Sequence, residues 1–286
     1  MTEFNLRPVN HGDQERVGKI IYDAFYHISN AHNFPPDFAS EEIAVGLAGM
    51  LLTHPRIYGI VAESDGVVVG SNFLWEIDEV VGVGPITIDP GAQNSSIGKA
   101  LMLDVIRRAE QTNANSVRLV QAAYNNRSLA LYTKLGFDTV APLSAMSGPA
   151  FKANIEGYDT RPMTADDVDN ADAVCIAVHG ISLKNEIADS VDKGSGYVVE
   201  HRGRITGYTT GLGYFGHTAC ITNEELKALI GSGHDFTGPG FLLPTTNSDV
   251  MRWCFENGLR IVHPMTLMSR GVYQEPRGAF MPSILY

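Results

Sequence analysis

An internal repeat constrains the fold of this 286-residue sequence more than any other feature. Three landmarks occur twice in the same order: an Arg-Pro pair followed by aspartate, a turn segment rich in valine and glycine, and a helix that begins at asparagine and ends at glycine. The first copies begin at Leu6, Val61 and Asn125, and the second copies at Thr160, Val198 and Asn247. The offsets shrink from 154 to 137 to 122 residues. The pattern predicts two domains of one fold, the second a shortened duplicate of the first.

The length and the loop-forming residues of the chain place the boundary between the two domains. A chain of 286 residues exceeds the usual size of one domain, so two domains of about 140 residues are expected. The segment 151–156 follows Ser147-Gly148-Pro149 and precedes the second Arg-Pro pair. We therefore predict domains at residues 1–150, the first half, and 151–286, the second half. Because no low-complexity linker joins them, the two domains are expected to pack tightly against each other.

The apolar periodicity of the first half predicts alternating strands and helices. Asp65-Gly66 is a hairpin signal between two β-rich runs, and Gly136 ends the last helix. The predicted elements are strand 4–9, a helix from 13, a loop with His27 and His32 near its start, a helix around 43–51, strands 57–63, 67–75 and 79–89, a helix from 97, strand 116–122, helix 126–135 and a final strand. The chain is therefore assigned to the α/β (α+β) class, and each domain to a mixed, mostly antiparallel central sheet flanked by helices.

One strand-to-helix turn, within residues 86–101, has the composition of a phosphate site. A compact turn at Pro90-Gly91 leads to small residues that open an apolar-periodic helix. The first N–H groups of such a helix lack partners and the helix dipole adds partial positive charge, so a phosphate binds there without many cationic side chains. Gly98 leaves room for close approach. Neither a dinucleotide fingerprint nor a Walker loop has this glycine spacing, so a different pyrophosphate ligand is predicted.

Two motifs resemble those of the GNAT superfamily of N-acetyltransferases. The segment Gln93-Asn94-Ser95-Ser96-Ile97-Gly98 is similar to the family's pyrophosphate loop, which reads Arg or Gln, any, any, Gly, any, Gly or Ala, and departs from it at Ser96. The segment from Asn125 to Phe137 is similar to the family's Asn-x-x-Ala-x-x-Leu-Tyr-x-x-x-Gly-Phe, and only Ser128 differs. Both motifs stand in the family's order and separation. The resemblance covers residues 4–145 and, faintly, the remainder, so the chain is similar to a tandem-domain member.

The resemblance implies a cofactor site and a direct transfer. Acetyl-coenzyme A would be the co-substrate and a small-molecule amine the acceptor, with both bound in a ternary complex. The backbone of Ile86, Thr87 and Ile88 would pair with the pantetheine arm, on a strand whose divergence from its neighbour opens a slot in the sheet. The amides of residues 94–99 would hold the diphosphate. By the resemblance, the remaining cofactor-binding residues are Gln93, Asn94, Ser95, Ser96, Ile97, Gly98, Lys99, Ala100, Asn125, Ser128 and Tyr132.

Tyr132 is the candidate general acid, which the resemblance places near the thioester sulfur. A phenol stays protonated at neutral pH and can donate to the leaving thiolate. No cysteine lies in the first half, which argues against a covalent acyl-enzyme. Structural interpretations stay open: Tyr132 as a half-buried helix aromatic, Gly98 as a close contact between helix and strand, and Asn125 as a helix N-cap.

The general base is assigned to Glu79, at the start of the strand that leads into the loop. Some members of the family carry a base carboxylate at about this place. A solvated strand end, shared with Glu76 and Asp78, is the alternative interpretation of this residue. His27 and His32 are candidates for gating or binding the acceptor, with ordinary surface histidines as the alternative.

The second half lacks the features that bind phosphate. Its counterpart of the pyrophosphate loop, residues 216–226, places Glu224 and Glu225 where phosphate would sit. Cys254 stands at the position of Tyr132. We therefore expect a degenerate GNAT-like domain that binds no coenzyme A and shapes the acceptor pocket. The stretch 211–217 is a candidate wall of that pocket, and the apolar segment 280–286 has three open interpretations: a docked strand, a pocket wall or a homodimer contact.

Composition argues against several classes of partner. The net charge of −11 is shared almost evenly by the halves, which disfavours nucleic acid and favours a cationic substrate. The N-terminus resembles no secretory signal and no run of about eighteen apolar residues occurs, so a cytoplasmic protein without a membrane partner is expected. The three cysteines show no metal-ligand spacing, so buried thiols and no metal are expected. Two rival functions stay open: a non-catalytic acyl-coenzyme A sensor or scaffold, and an acyltransferase with a longer acyl donor.

Overall fold

The computed structural model describes residues 3–93 and 96–286. In the described part of the first half, strands and helices follow the predicted order, except that two strands stand where one was predicted for residues 79–89. The elements are β1 Asn5–Pro8, α1 Gln14–Ala31, α2 Glu41–Thr53, β2 Ile57–Ser64, β3 Val67–Trp75, β4 Val80–Val83, β5 Thr87–Ile88, α3 Ile97–Gln111, β6 Ser116–Ala122, α4 Asn126–Lys134 and β7 Asp138–Ser147.

The second half repeats this order with one strand, β11, where the first half has β4 and β5, and adds a strand at its end. Its elements are β8 Tyr158–Pro162, α5 Val168–His179, α6 Lys184–Asp192, β9 Tyr197–His201, β10 Arg204–Thr209, β11 Thr218–Cys220, α7 Asn223–Ile230, β12 Phe241–Pro244, α8 Ser248–Glu256, β13 Arg260–Gly271 and β14 Ala279–Met281. No helix in the described ranges is both long and apolar enough to cross a membrane.

Two details of the first half differ from the sequence prediction. The strand predicted for residues 79–89 is broken, because Gly84 has a φ of 138° and Pro85 has no N–H to donate to a neighbouring strand. The prediction that His27 lies in a loop is also wrong. It lies within α1, whose buried face continues to Ser29, and the loop begins only after His32.

The first landmark of the repeat forms the same ion pair in both halves. Arg7 donates from both terminal nitrogens to Asp13, at 2.8 Å each. Arg161 donates in the same way to Asp167, at 2.6 and 2.8 Å. The equivalent residues therefore fasten the first strand of each half to the start of its first helix.

The other two landmarks also adopt matching local structures. The Asp65-Gly66 turn has φ values of 51° and 75°, and the Arg202-Gly203 turn has values of 52° and 71°. Two successive residues with positive φ are typical of a type I′ hairpin. Asn125 caps α4 and Asn247 caps α8, each by accepting a hydrogen bond from the N–H three residues further on. The predicted hairpin is confirmed, and the repeat holds at the level of hydrogen bonds.

The strands form two sheets. The larger sheet has the order β1-β2-β3-β4-β6-β13-β7-β12, with β5 beside β3, and the smaller has the order β14-β11-β10-β9-β8. Among the described strand pairs, β4 and β6 are parallel and the others antiparallel. Because β13 lies between β6 and β7, and β7 between β13 and β12, hydrogen-bonded strands cross the predicted division at 150/151.

The core is layered on both faces of the larger sheet. The apolar side of α3, including Leu101, packs on one face, and α1 and α2 pack on the other through Ile20 and Leu51. A further cluster joins the halves, because it combines Leu143 of β7 with Met265 of β13. The three cysteines are buried, as predicted. The α3 layer and the junction between the halves form the boundaries of the candidate active site.

Candidate active site

The larger sheet opens between β4 and β6. The two strands pair only where Val80 to Gly82 face Ser116 to Arg118. Beyond that point β5 pairs with β3, while β6 continues beside β13. The backbones of residues 84–88 and 119–122 therefore diverge, and the expected slot is present.

A cavity of about 320 Å³ lies where α3 and α4 meet the slot, and we refer to it as the α3-side cavity. Its walls come from α1, the segment around β5, the start of α3 and the first turns of α4. The predicted cofactor residues that line it are Ile86, Thr87, Ile88, Gln93, Gly98, Lys99, Asn125, Ser128 and Tyr132. Arg127 also lines it, so the lining includes two cationic side chains. Such a lining suits an anionic ligand.

The other predicted loop residues have different positions. Asn94 and Ser95 lie outside the described residues. The side chain of Ile97 is fully buried in the core, so only its backbone can face a ligand. The N–H of Ala100 donates to the carbonyl of Ser96 at 3.0 Å, so it is not offered to a ligand. The three amides that precede it, in the first turn of α3, have no partner within the helix.

Gly98 is required by the packing of α3 against β5. A Cβ atom at this position would lie 2.9 Å from Cδ1 of Ile88. The lack of a side chain at Gly98 therefore permits both the close contact between α3 and β5 and the exposure of this position in the cavity lining.

A second cavity, of about 190 Å³, adjoins the first on the β6 side of the slot, and we refer to it as the inner cavity. The second half contributes Tyr214, Phe215, Met265, Ile284 and Leu285 to its walls. Segments 211–217 and 280–286 thus supply lining residues. The two cavities share Phe25, Ile28, Ile86, Asn125, Ser128 and Tyr132. They therefore meet around Tyr132.

Tyr132 is both a core residue and a lining residue. Its side chain is 6% exposed and its ring packs edge-on against Phe137, with centroids 6.2 Å apart. Burial raises the pKa of its hydroxyl to about 12, although a hydrogen bond with Ser128 acts in the opposite direction. The phenol is therefore protonated at neutral pH and can act as a hydrogen-bond donor.

Asn125 is held in place by its capping role. Its side-chain oxygen accepts a hydrogen bond from the N–H of Ser128 at 3.2 Å, which is the N-cap interaction that the sequence left open. The same residue lines both cavities. Capping fixes its side chain where the cavities meet.

The structure does not bring Glu79 together with Tyr132. Glu79 precedes β4, at the end of the slot where β4 and β6 still pair, and lines neither cavity. Its carboxylate accepts hydrogen bonds from the side-chain amide of Asn115 at 2.8 Å and from the N–H of Ser182 at 3.2 Å. Glu79 therefore connects the two halves at a strand end.

The two candidate histidines occupy different places. His27 lines the α3-side cavity. The ring of His32 lies 5.3 Å from the ring of Tyr124, centroid to centroid. His32 therefore stands beside a lining residue of the inner cavity.

In the second half, the counterpart of the phosphate turn holds a carboxylate of its own. Thr222 caps α7, and its N–H donates to Glu225 at 2.9 Å. The Thr222 hydroxyl donates to the same carboxylate. Glu225 is 2% exposed, and Cys254, the counterpart of Tyr132, is fully buried. The carboxylate of Glu225 therefore occupies the start of this helix.

Three polar side chains that line the inner cavity were not predicted from the sequence: Asp37, Gln121 and Tyr124. Gln121 and Tyr124 stand just before Asn125, at the carboxyl end of β6, where residues of a splayed strand face the opening. Their position near the end of this strand could have indicated both residues from the sequence. Asp37 lies in the proline-rich loop between α1 and α2, where no local pattern predicts the side-chain direction.

Comparisons with known proteins agree with this architecture. The profile of the acetyltransferase (GNAT) family matches residues 19–137. A provisionally named acetyltransferase from Pyrococcus horikoshii superposes with a TM-score of 0.68 at 13% identity, covering 100% of this chain and 94% of that one. A GCN5-related N-acetyltransferase from Sphaerobacter thermophilus gives 0.62 at 13% identity, covering 95% and 96%.

A third similar structure is that of a tandem GNAT protein. A tandem GNAT protein from the clavulanic acid biosynthesis pathway, solved without acetyl-coenzyme A, gives a TM-score of 0.53 at 14% identity, covering 93% of this chain and 98% of that one. No curated protein matches the sequence significantly.

Residues 19–137, within the first half, therefore match the acetyltransferase (GNAT) family. The chain has a mixed α/β fold with mostly antiparallel sheets flanked by helices, which is the fold of the tandem GNAT protein.

Proposed function

We propose that this chain is an N-acetyltransferase that transfers the acetyl group of acetyl-coenzyme A to a small-molecule amine. The observation that carries the proposal is the meeting of the α3-side cavity and the inner cavity around Tyr132. With the donor in the first and the acceptor in the second, the two reactants come together in one slot. Holding them there supplies a large part of the rate enhancement.

The α3-side cavity fits the charges and shape of coenzyme A. The unpaired amides at the start of α3 suit a diphosphate, and Lys99 and Arg127 add positive charge to the lining. β5 pairs with β3 along one edge and faces the slot with the other, so its backbone is available to an amide-containing arm. These contacts favour coenzyme A over a nucleotide without such an arm.

Direct transfer forms a C–N bond and breaks a C–S bond. An acceptor that binds as an ammonium first gives one proton to water, because only the neutral nitrogen can attack the carbonyl. That nitrogen loses a second proton as the amide forms, and the sulfur leaves as a thiolate that takes up one proton. The products are therefore the amide, the thiol of coenzyme A and one proton in solution. The hydroxyl of Tyr132 donates a hydrogen bond to the sulfur as negative charge develops there. Because its pKa of about 12 exceeds the value of about 8.5 for a thiol, donation of a hydrogen bond is favoured over complete proton transfer.

The test is thiol release from acetyl-coenzyme A with a broad panel of amines. We expect acceptor-dependent release, and a fall in kcat on the order of 10²- to 10⁴-fold for Tyr132→Phe. Tyr58→Phe is the matched control, because Tyr58 donates to Asp104 and lines neither cavity. Its kcat should equal that of the unchanged protein.

Other outcomes would replace the proposal with one of its rivals. Tight binding of acetyl-coenzyme A without turnover on any amine would indicate a sensor or scaffold. Faster transfer from butyryl- or decanoyl-coenzyme A than from acetyl-coenzyme A would assign a longer acyl donor.

A further inference from the structure

The carboxylate of Asp37 lines the inner cavity and has no cationic partner among the described residues. We propose that this cavity takes a small amine with an apolar body, and that the ammonium group of this amine binds the carboxylate of Asp37. The inference rests on the proposed function, since it names the class of acceptor for the same site.

The walls of the inner cavity select an apolar body. Six aromatic rings stand in the lining, and most of the other lining side chains are aliphatic; the aromatic residues are Phe25, Phe38, Tyr124, Tyr132, Tyr214 and Phe215. Such rings offer large apolar faces, and their electron-rich faces also attract a nearby cation. A hydrophilic polyamine would lose its hydration in this cavity without gaining equivalent partners.

Asp37 supplies the charge that such a cation needs. In the described part of the chain no arginine, lysine or histidine forms an ion pair with it. Burial raises the pKa of its carboxyl to about 6. Burial also raises the pKa of the neighbouring Tyr124 and Tyr214 hydroxyls, and the charge of Asp37 adds to that rise. A partly buried anion of this kind is stabilised by a bound cation.

Gln121 is an independent sign that a ligand belongs here. It is 6% exposed and lines the inner cavity, yet neither its side-chain nitrogen nor its side-chain oxygen has a partner among the described residues. Buried amide groups are nearly always hydrogen-bonded in proteins. A polar atom on the bound molecule would supply the missing bond.

The volume of the cavity limits the size of the acceptor. About 190 Å³ is smaller than the roughly 300–1,000 Å³ of sites for drug-sized ligands. A molecule with a single ring or a short alkyl chain fits this volume. The net charge of −11 also favours the approach of a cation over that of an anion.

The experiment measures binding directly in the full chain with coenzyme A present, so that it does not depend on turnover. Isothermal titration compares 2-phenylethylamine with 2-phenylethanol, which has the same shape without the charge. We expect the amine to bind at least tenfold more tightly. Asp37→Asn should remove that preference and leave the alcohol unchanged, whereas Asp166→Asn, at an exposed position, should change neither.

A measurement on the unchanged protein guards against a variant that fails to fold. Amine affinity should rise as the pH increases through about 6, because Asp37 becomes ionised. The titratable groups whose pKa responds to this carboxylate include Tyr124 and Tyr214, which stay neutral in this range. Tyr124 in turn contacts His263 at 3.5 Å and lies beside the ring of His32. Burial lowers the pKa of His263, which favours its neutral form.

The outcomes separate this inference from the proposed function. Equal affinities for the amine and the alcohol, or an amine preference that survives Asp37→Asn, would overturn the inference. Tighter binding of spermidine than of 2-phenylethylamine would do so too. Selective binding of the apolar amine without any thiol release would instead refute only the proposed function, and thiol release confined to hydrophilic amines would refute only the inference.

Discussion

Leu143 of β7 and Met265 of β13 lie opposite each other in antiparallel register at the junction of the two halves. They are 122 residues apart, which is the offset of the third landmark of the repeat, so each is the counterpart of the other. Their neighbours obey the same rule, since Pro142 faces Thr266 and Ser144 faces Pro264. A pseudo-two-fold axis therefore passes through this pair, and each half places one strand inside the other's sheet.

The strand exchange predicts that residues 1–150 do not form a stable domain alone. Without β13, the facing edges of β6 and β7 lose their partner, and unpaired edges promote aggregation. We expect this fragment to unfold without a cooperative transition in thermal melts. Co-expression with residues 151–286 should restore a complex that co-elutes and melts cooperatively. A lone fragment that melts like the full chain would count against the exchange.

Substitution of Gly98 tests the start of α3 as the cofactor site. Gly98→Ala places a methyl group 2.9 Å from Cδ1 of Ile88, so the end of that side chain must shift, and both residues line the α3-side cavity. We expect coenzyme A to bind at least tenfold more weakly in calorimetry. Gly46→Ala is the matched control, because Gly46 lies inside α2 with nothing within 4 Å of an added Cβ. An unchanged affinity for Gly98→Ala would move the diphosphate site elsewhere.

The contact of Gly82 with residues 284–286 predicts an effect on the acceptor alone. A Cβ atom at Gly82 would overlap the carbonyl oxygen of Leu285, and backbone cannot yield as a flexible side chain does. Gly82→Ala should displace this segment, and with it the contact of Tyr286 with the Arg118 side chain. We expect faster hydrogen exchange at 284–286 and a higher KM for the amine.

The affinity for coenzyme A should stay within about twofold in the same variant, because the displaced residues do not line the α3-side cavity. If the amine and coenzyme A both bound more weakly by the same factor, the structural change would have spread through β4 to the whole slot.

Two buried histidines predict a loss of stability in acid. The rings of His179 and His217 lie 4.9 Å apart and are almost fully buried. Burial lowers the pKa of His217 to about 3, and Arg118 acts in the same direction. Burial also lowers the pKa of His179, with His217 and Arg118 contributing.

In the unfolded chain these two histidines take up protons near pH 6.5, whereas in the folded chain they do not. The free energy of unfolding therefore has its full contribution from the neutral histidines above pH 6.5, and this contribution declines as the pH falls toward 3. Each histidine adds a slope of up to about 1.4 kcal/mol per pH unit. Urea unfolding between pH 4.5 and 7 should show a shallower slope for His217→Gln, and an unchanged one for His11→Gln, at an exposed position. Equal slopes in both variants would contradict the assignment.

The sequence by itself determined the local structures and the repeat. The Asp65-Gly66 hairpin and the buried face of α3 each depend on residues within a few positions of one another, so the pattern alone predicts them. The motif that begins at Gln93 also identified residues that the fold gathers in the α3-side cavity. Local chemistry was sufficient for these features.

Only the tertiary structure decided the strand exchange and the inner cavity. Leu143 and Met265 meet through a register between distant segments, and nothing in their neighbourhoods shows which strand each will pair with. Asp37 and Leu285 line one cavity although every strand from β2 to β14 lies between them in sequence. Pairing and packing between distant segments depend on the free energy of the entire fold, which no short stretch of sequence contains.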